Sequence, residues 1–372
     1  MNIGIPLEAA RGERRAGLSP AGVESLVAER HRVYVQSTAG LGSGFSDLDY
    51  AAAGALIVHS VEEVLGRATL ILSIGPPTME HLKSLGPEHV WAGYLHLAVA
   101  PASVMDDLLA RKLTLIDYET IETEDGALPA QTPMSELAGR MSVHVAATLL
   151  QNDHSGPGIL LSGLPGVPPA DVVIVGGGVV GGSAAQSFAG LGARVTLLDV
   201  DPAVLKRIDD DMRGRVVTMA ANPHNLRKAV AFADVLVVCV LIPGERAPRI
   251  VTRDMVRSMR QRSVILDISI DQGGGAETSR PTTHSDPIFV EEGVIHYCVP
   301  NMPAAVGRTA THAMTNAVLP FVREIAQLGV VRALRQDEAL ARGANLYGGR
   351  VTNAGLAASA GRTYEPLASL LG

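Results

Sequence analysis

Cysteine is nearly missing from this 372-residue chain, which has only Cys239 and Cys298. Each sits in an apolar run, Val237-Val238-Cys239-Val240 and His296-Tyr297-Cys298-Val299. They read as small buried hydrophobes, with no disulfide framework and no zinc-type spacing. Positive charge is not in excess: 31 Lys and Arg stand against 38 Asp and Glu, a formal net charge of -7. That argues against nucleic acid and anionic membrane as partners, although local charge can still suit an anionic substrate. No apolar stretch is long and unbroken enough to span a bilayer. The N-terminus runs straight into Asn2-Ile3-Gly4-Ile5-Pro6, without a basic n-region or a signal-peptide core. A cytoplasmic protein is the expectation. Internal repeats, low-complexity tracts, a nucleophile elbow, a Walker loop and a paired-carboxylate signature are all lacking. His284, His296 and His312 have no metal-site spacing, so no metal is expected.

What is present is an ordinary globular balance, 47% hydrophobic and 19% charged, over a length that suits one or two domains. Short apolar runs alternate with helical patterns, which is the signature of βα units and a mainly parallel sheet. Strands are expected at 2–6, 32–36, 69–74, 90–97 and 113–121, with amphipathic stretches at 20–29 and 104–109 between them. Pro20 suits a first helical turn, with Ser19 as its N-cap. A longer helical pattern covers 135–150, and a Gly/Pro/Ser-rich loop follows at 155–169. The pattern then restarts, with strands at 172–175, 194–198, 234–240 and 263–270 and a helix at 179–191. The continuous Val/Ile/Leu content of these strands suits a sheet covered on both faces. One long helix is expected at 306–328, and the Gly- and Ala-rich tail from 344 reads as irregular.

Gly176-Gly177-Gly178-Val179-Val180-Gly181 satisfies G-x-G-x-x-G, follows an apolar strand and opens a helix. Gly176 permits the tight turn, Gly178 lets the backbone approach a pyrophosphate, and Gly181 lets helix and strand pack closely. The helix N-terminus then directs N–H groups and a dipole at phosphate. The next strand ends at Asp199, where a carboxylate accepts hydrogen bonds from ribose hydroxyls and repels a 2′-phosphate. NAD is therefore expected rather than NADP, although Arg194 and Lys206 lie close by in sequence. Val179, Val180, Lys206, Val240 and Leu241 complete the expected cofactor contacts at this point of the chain.

Several residues at expected strand ends could carry chemistry. His96 follows Val90-Trp91-Ala92-Gly93-Tyr94-Leu95 and suits proton transfer near neutral pH. Asp271 precedes Gln272-Gly273-Gly274-Gly275, which allows close approach of a ligand. Arg15 lies in the loop after the first strand, where a guanidinium can grip a carboxylate. Asn301 follows Tyr297-Cys298-Val299-Pro300. Taken singly, each has a plainer reading: a structural histidine, a turn-forming aspartate, a solvated basic pair, a turn asparagine.

Taken together, the strings resemble one family. Ile5-Pro6 with Glu8, Arg15, Leu18-Ser19-Pro20-Ala21-Gly22-Val23, Gly42-Ser43-Gly44-Phe45-Ser46-Asp47 and Tyr94-Leu95-His96-Leu97 are similar to the N-terminal domain of alanine dehydrogenases. So are Tyr118-Glu119-Thr120-Ile121, Thr132-Pro133-Met134-Ser135-Glu136 and Ala138-Gly139-Arg140-Met141-Ser142. The resemblance continues through Gly163-Leu164-Pro165-Gly166-Val167, the glycine loop, Leu241-Ile242-Pro243-Gly244, Ile270-Asp271-Gln272-Gly273-Gly274, Thr283-His284-Ser285-Asp286-Pro287 and Asn301-Met302-Pro303. It implies an α/β fold of two doubly wound, Rossmann-like domains with a cleft between them. The substrate domain would be 1–130 plus 305–372, and the NAD-binding domain 131–304. It further implies a homohexamer and reversible NAD-dependent deamination of L-alanine to pyruvate and ammonium. By resemblance, His96 would be the acid/base and Asp271 the second catalytic group. Arg15 would bind the substrate carboxylate, Tyr94, Met134 and Asn301 would line the pocket, and Ser135, Asp199 and Met302 would contact the cofactor.

One string departs. Where the family carries a substrate-binding lysine in Lys-x-Lys-Glu-Pro, this chain reads Ser73-Ile74-Gly75-Pro76-Pro77, with Gly75 at the lysine. Losing one charge-assisted hydrogen bond costs about 1.5–3 kcal/mol, or roughly one to two decades of rate. Two further readings therefore stand beside an alanine dehydrogenase: a reductase or dehydrogenase for a larger 2-oxo acid, amino acid or imine, and a non-catalytic NAD-binding regulator.

Overall fold

The β-branched runs form strands because a pleated, doubly covered sheet buries their stiff side chains on both faces. Val172 and Ile174 join one apolar cluster and Val173 and Val175 the other, and Val235/Val237 and Leu236/Val238 divide in the same way. The computed structural model describes residues 1–10, 12–242 and 246–372. Arg11 and Pro243–Glu245, which include the Pro243-Gly244 of the family-like string, lie outside the described residues.

Among the described residues, fifteen strands form: β1 (Asn2–Ile5), β2 (Arg32–Gln36), β3 (Leu56–Val58), β4 (Leu70–Leu72), β5 (Val90–Gly93), β6 (Thr114–Asp117), β7 (Asp171–Val175), β8 (Arg194–Asp199), β9 (Val216–Ala220), β10 (Val235–Val238), β11 (Val264–Asp267), β12 (Ile288–Glu291), β13 (Val294–Tyr297), β14 (Ala344–Tyr347) and β15 (Arg350–Val351). The chain divides into two compact units. One comprises Met1–Met134 and Ala304–Gly372, the other Ser135–Ile242 and Arg246–Pro303.

The first unit holds an eight-stranded sheet in the order β15-β14-β6-β5-β4-β1-β2-β3. Its strands from β6 to β3 are parallel, and β14 joins β6 antiparallel. The order reverses between β1 and β4, so the loops leaving those two strands emerge side by side. In open α/β sheets this switch point at the carboxyl ends is where ligands bind. Close packing maintains it: a Cβ on Gly17 would lie 2.1 Å from the Leu72 carbonyl oxygen, and one on Gly93 would lie 2.7 Å from that of Ser73. Ser19 caps the helix Pro20–Ala28, as its sequence suggests.

The second unit holds a seven-stranded sheet in the order β12-β13-β11-β10-β7-β8-β9, parallel except for β12. Its switch point falls between β7 and β10. The glycine loop follows β7, and the helix Val179–Gly190 leaves from it.

The tail corrects one expectation. From residue 344 it is not irregular: β14 and β15 extend the first sheet, and the helices Ala354–Ala360 and Leu367–Leu371 follow. Its small residues hide the pattern, because Ala344 and Leu346 are buried where β14 pairs with β6, more than 200 positions earlier, and Val351 where β15 pairs with β14 in turn, rather than by local periodicity. The strand at 263–270 is also shorter than expected, since Ile268–Gln272 turns into a 3₁₀ helix that carries Asp271.

Phe188 is fully buried on the helix behind the glycine loop, in the cluster that includes Val172, Ile174 and Leu197. Phe188→Ala should destabilise the second unit by about 3–5 kcal/mol in equilibrium denaturation, and a loss well below that range would contradict the packing described here.

Candidate active site

In the second unit, the glycine loop has the shape of a phosphate cradle. Gly176 has φ +105°, and a Cβ there would meet the Cys239 carbonyl oxygen at 2.5 Å. A Cβ on Gly181 would lie 1.8 Å from the Gly176 oxygen, so only glycine allows the helix to pack this closely on the turn. At Gly178, the helix N-cap, a Cβ would meet nothing within 4 Å. Among the described residues no side chain caps this helix, which leaves its first-turn N–H groups available to an anion. Val179 is exposed and Val180 half-buried beside them.

Asp199 ends β8 beside this loop. One carboxylate oxygen accepts the Gly177 N–H at 2.6 Å and the other accepts the Asp201 N–H at 2.9 Å. Both bonds orient the group and leave lone pairs for ribose hydroxyls. The donor set and the open face at Gly178 therefore fit a dinucleotide with a free 2′-hydroxyl. Lys206 pairs with Asp210 one helical turn on. The side chain that reaches the loop is its neighbour Arg207, whose Nη2 donates to the Gly177 carbonyl at 2.9 Å. Sequence reasoning passed over Arg207, and only its helical phase separates the two.

The Val240 N–H donates to Ser269 Oγ at 3.0 Å, so the ends of β10 and β11 are tied together, and Leu241 is exposed beyond them. The 3₁₀ turn after β11 presents Asp271, whose Oδ1 accepts the Asn301 N–H at 2.8 Å. Asn301 has φ +55°, and its carbonyl lies 3.3 Å from His284 Nε2. The buried Asp267, unnoticed in the sequence, holds the Gly275 and Ala276 N–H groups and so shapes the glycine turn behind Asp271. Met302 and Ser135 are buried in this unit.

The first unit assembles the other candidates. Arg15 is 3% exposed and forms a bidentate pair with Glu13, Nε to Oε1 at 2.8 Å and Nη2 to Oε2 at 2.6 Å. Burial alone would raise the Glu13 carboxyl, but the Arg15 charge and hydrogen bonds outweigh it and hold Glu13 below the usual carboxylate value. Nη1 of Arg15 faces the Met134 sulfur at 3.5 Å, and the guanidinium lies 5.8 Å over the Tyr94 ring. Arg15, Tyr94 and Met134 are thus brought together. Tyr94 donates its hydroxyl to the Ala130 carbonyl at 2.8 Å and stands edge-on to Tyr118. Burial drives its phenol far above the ordinary value, so it stays protonated.

His96 leaves β5 in the left-handed region, φ +47°, a conformation that costs a non-glycine residue energy and recurs at functional positions. Its Nδ1 lies 3.1 Å from Glu119 Oε1, and its own N–H donates to Glu119 Oε2 at 3.2 Å. The second carboxylate beyond it is Asp117, at the end of β6. Asp117 accepts the Leu95 and Glu119 N–H groups at 3.3 and 3.1 Å and the Asn345 amide at 3.1 Å. Burial, then repulsion from Glu119, pushes the Asp117 carboxyl up to about 8. Glu119 and Asp117 were not assigned roles from sequence. Their signal is the neighbouring strand, since β6 ends beside β5.

Models of the alanine dehydrogenase/PNT N-terminal and C-terminal domains match residues 4–138 and 142–354. An alanine dehydrogenase of Methanococcus maripaludis is 45% identical over 367 residues, 98% of each chain. Another, from Halomonas elongata, is 45% identical over the full length of both. Among solved structures, an L-alanine dehydrogenase superposes with a TM-score of 0.89 at 42% identity, covering 96% of this chain and 99% of the other. A transhydrogenase of Sinorhizobium meliloti shares the fold, with a TM-score of 0.77 at 22% identity over 95% of this chain and 99% of its own.

Asp117 gives a pH test. Its carboxyl is raised in the folded state, so the stability it confers is complete below the ordinary aspartate value near 4. That stability is lost as pH rises through about 8. Asp117→Asn, uncharged throughout, should flatten the decline of the denaturation midpoint between those limits. An unchanged slope would rule out a buried, neutral Asp117.

Proposed function

This chain belongs to the alanine dehydrogenase/PNT family, and on that premise we propose that it is an NAD-dependent amino-acid dehydrogenase of the alanine type. The reaction is L-alanine + NAD⁺ + water → pyruvate + ammonium + NADH + H⁺, and it is reversible. The end-to-end similarity to alanine dehydrogenases carries this reading, and the geometry of each unit supports it. The homohexamer and the cytoplasmic setting implied by the resemblance belong to the same proposal. Among the described residues, no helix is long and apolar enough to cross a membrane.

The dinucleotide would be held by the glycine loop, the first-turn N–H groups after Gly178 and the Asp199 carboxylate, and when bound it supplies the hydride acceptor at the α-carbon. Arg15 receives the substrate carboxylate through Nη1, its other two nitrogens each donating to Glu13. That engagement keeps the guanidinium plane from turning. His96 moves the proton at the substrate nitrogen or oxygen, and Glu119 lies against its ring at Nδ1. Asp271 holds a proton at the carbinolamine stage, presented by a turn that the Asn301 N–H steadies.

Gly75 favours a second reading, in which the same chemistry acts on a different amino acid, because a Cβ at this position would meet nothing within 4 Å.

Two measurements test the proposal. Loss of NADH absorbance with ammonium and pyruvate, or with larger 2-oxo acids and cyclic imines, should exceed that with NADPH, and His96→Ala should lower kcat by roughly 10²–10⁴. NADH that binds without turnover of any member would sink the dehydrogenase reading. Light scattering should give a mass near six times that of the 38.9 kDa chain, and a monomeric mass would remove the hexamer.

A further inference from the structure

The switch point of the first sheet carries a polar group that the proposed reaction does not use. Glu8 lies in the loop after β1, and its carboxylate spans to the end of β4. Ile74 N–H donates to Oε1 at 2.7 Å, Ser73 Oγ–H lies 3.0 and 3.2 Å from the two oxygens, and Gly75 N–H donates to Oε2 at 3.3 Å. All of these donors are neutral. Among the described residues, no lysine or arginine forms an ion pair with Glu8, whereas the Arg15 nearby is matched by Glu13. Burial, with repulsion from Glu13, pushes the Glu8 carboxyl up to about 7 against those hydrogen bonds. Ionised Glu8 therefore leaves this cluster with one negative charge more than positive. A carboxylate has about four lone-pair directions, so three neutral donors do not exhaust it.

Beside Glu8 the floor is fixed and open. Trp91 Nε1 donates to the Gly75 carbonyl at 2.9 Å, which pins the backbone. A Cβ on Gly75 would meet none of the described residues within 4 Å, while Gly17 and Gly93 on the same edge are tightly enclosed. Ligands of open α/β sheets sit at such a switch point.

We propose that Glu8 and the space at Gly75 form a subsite for a cationic group on the substrate side chain, so that the preferred substrate is a basic amino acid rather than alanine. The inference rests on the amino-acid dehydrogenase reading and names its substrate class. The substrate α-carboxylate takes Arg15, and its distal ammonium supplies a positive charge beside Glu8, with which no lysine or arginine among the described residues forms an ion pair. A neutral zwitterion such as alanine adds no net charge and leaves the negative excess of this cluster unmatched, whereas a basic amino acid brings one net positive charge.

The test uses the full-length protein loaded with NADH and titrated calorimetrically with L-2,4-diaminobutyrate, L-ornithine and L-lysine, each against a neutral isostere such as L-norvaline or L-norleucine. At least one basic member should bind about ten- to a hundredfold more tightly than its isostere, the range of one charge-assisted hydrogen bond. Glu8→Gln should bring that ratio toward one. Gly75→Lys, which sets a cation beside Glu8 where there is room for it, should do the same if Glu8→Gln fails to fold, as judged by thermal unfolding. Equal binding of the isosteres, no binding of any basic member, or a ratio unmoved in the folded variants overturns the subsite. NAD reduction by the same compounds separates the two ideas. Selective binding without reduction keeps the subsite and removes the dehydrogenase reading. Reduction with neutral members and no preference for basic ones does the reverse.

Discussion

Both sheets are covered on both faces, and that constraint governs the rest of the molecule. A strand such as Val235–Val238, buried along its whole length, has no place for a charge. Polar chemistry is pushed to the carboxyl edges, where each chain leaves its strand. Glu8, His96, Asp117, Glu119, Asp199 and Asp271 all lie at or within a few residues of such edges, and Arg15 lies further along the loop that leaves β1. The reversal of strand order then decides which of these loops are neighbours.

At those edges the acids are held mainly by backbone N–H groups. Asp199 rests on Gly177 and Asp201, Asp267 on Gly275 and Ala276, Glu8 on Ile74 and Gly75, and Asp117 on Leu95 and Glu119. Neutral donors orient a carboxylate without cancelling its charge. Where burial is deep enough, the group retreats toward its protonated form, as Asp117 and Glu8 do. Glu13 goes the other way because its donor is a full cation. Acids on one sheet edge are thus separated into those neutralised by an arginine and those that are not.

The glycines mark how close the backbone comes to itself and where it leaves room. Gly181 and Gly17 have a carbonyl oxygen where a side chain would stand, while Gly178 and Gly75 face open space. The first pair holds the fold together and the second leaves space for something other than protein. Gly176 and Gly181 in the glycine loop declared their roles in sequence through spacing, whereas Gly17 had no motif to announce it and Gly75 stood out only as a departure from a family string.

The sequence by itself determined the βα alternation, the doubly covered sheet, the glycine loop with its acid at Asp199, the placing of His96 and Asp271 just beyond strand ends, and that of Arg15 in the loop after the first strand. These follow from local periodicity and from spacing within one βαβ unit, which neighbours in sequence are enough to specify. It did not disclose β14 and β15, the Glu13–Arg15 pair, the Glu119 behind His96, the choice of Arg207 over Lys206, or Glu8 bridging to β4. Each of these depends on strand order or helical phase. Residues 8 and 75, or 117 and 345, meet only once the chain has crossed over and packed, and no local pattern records which strand will lie beside which.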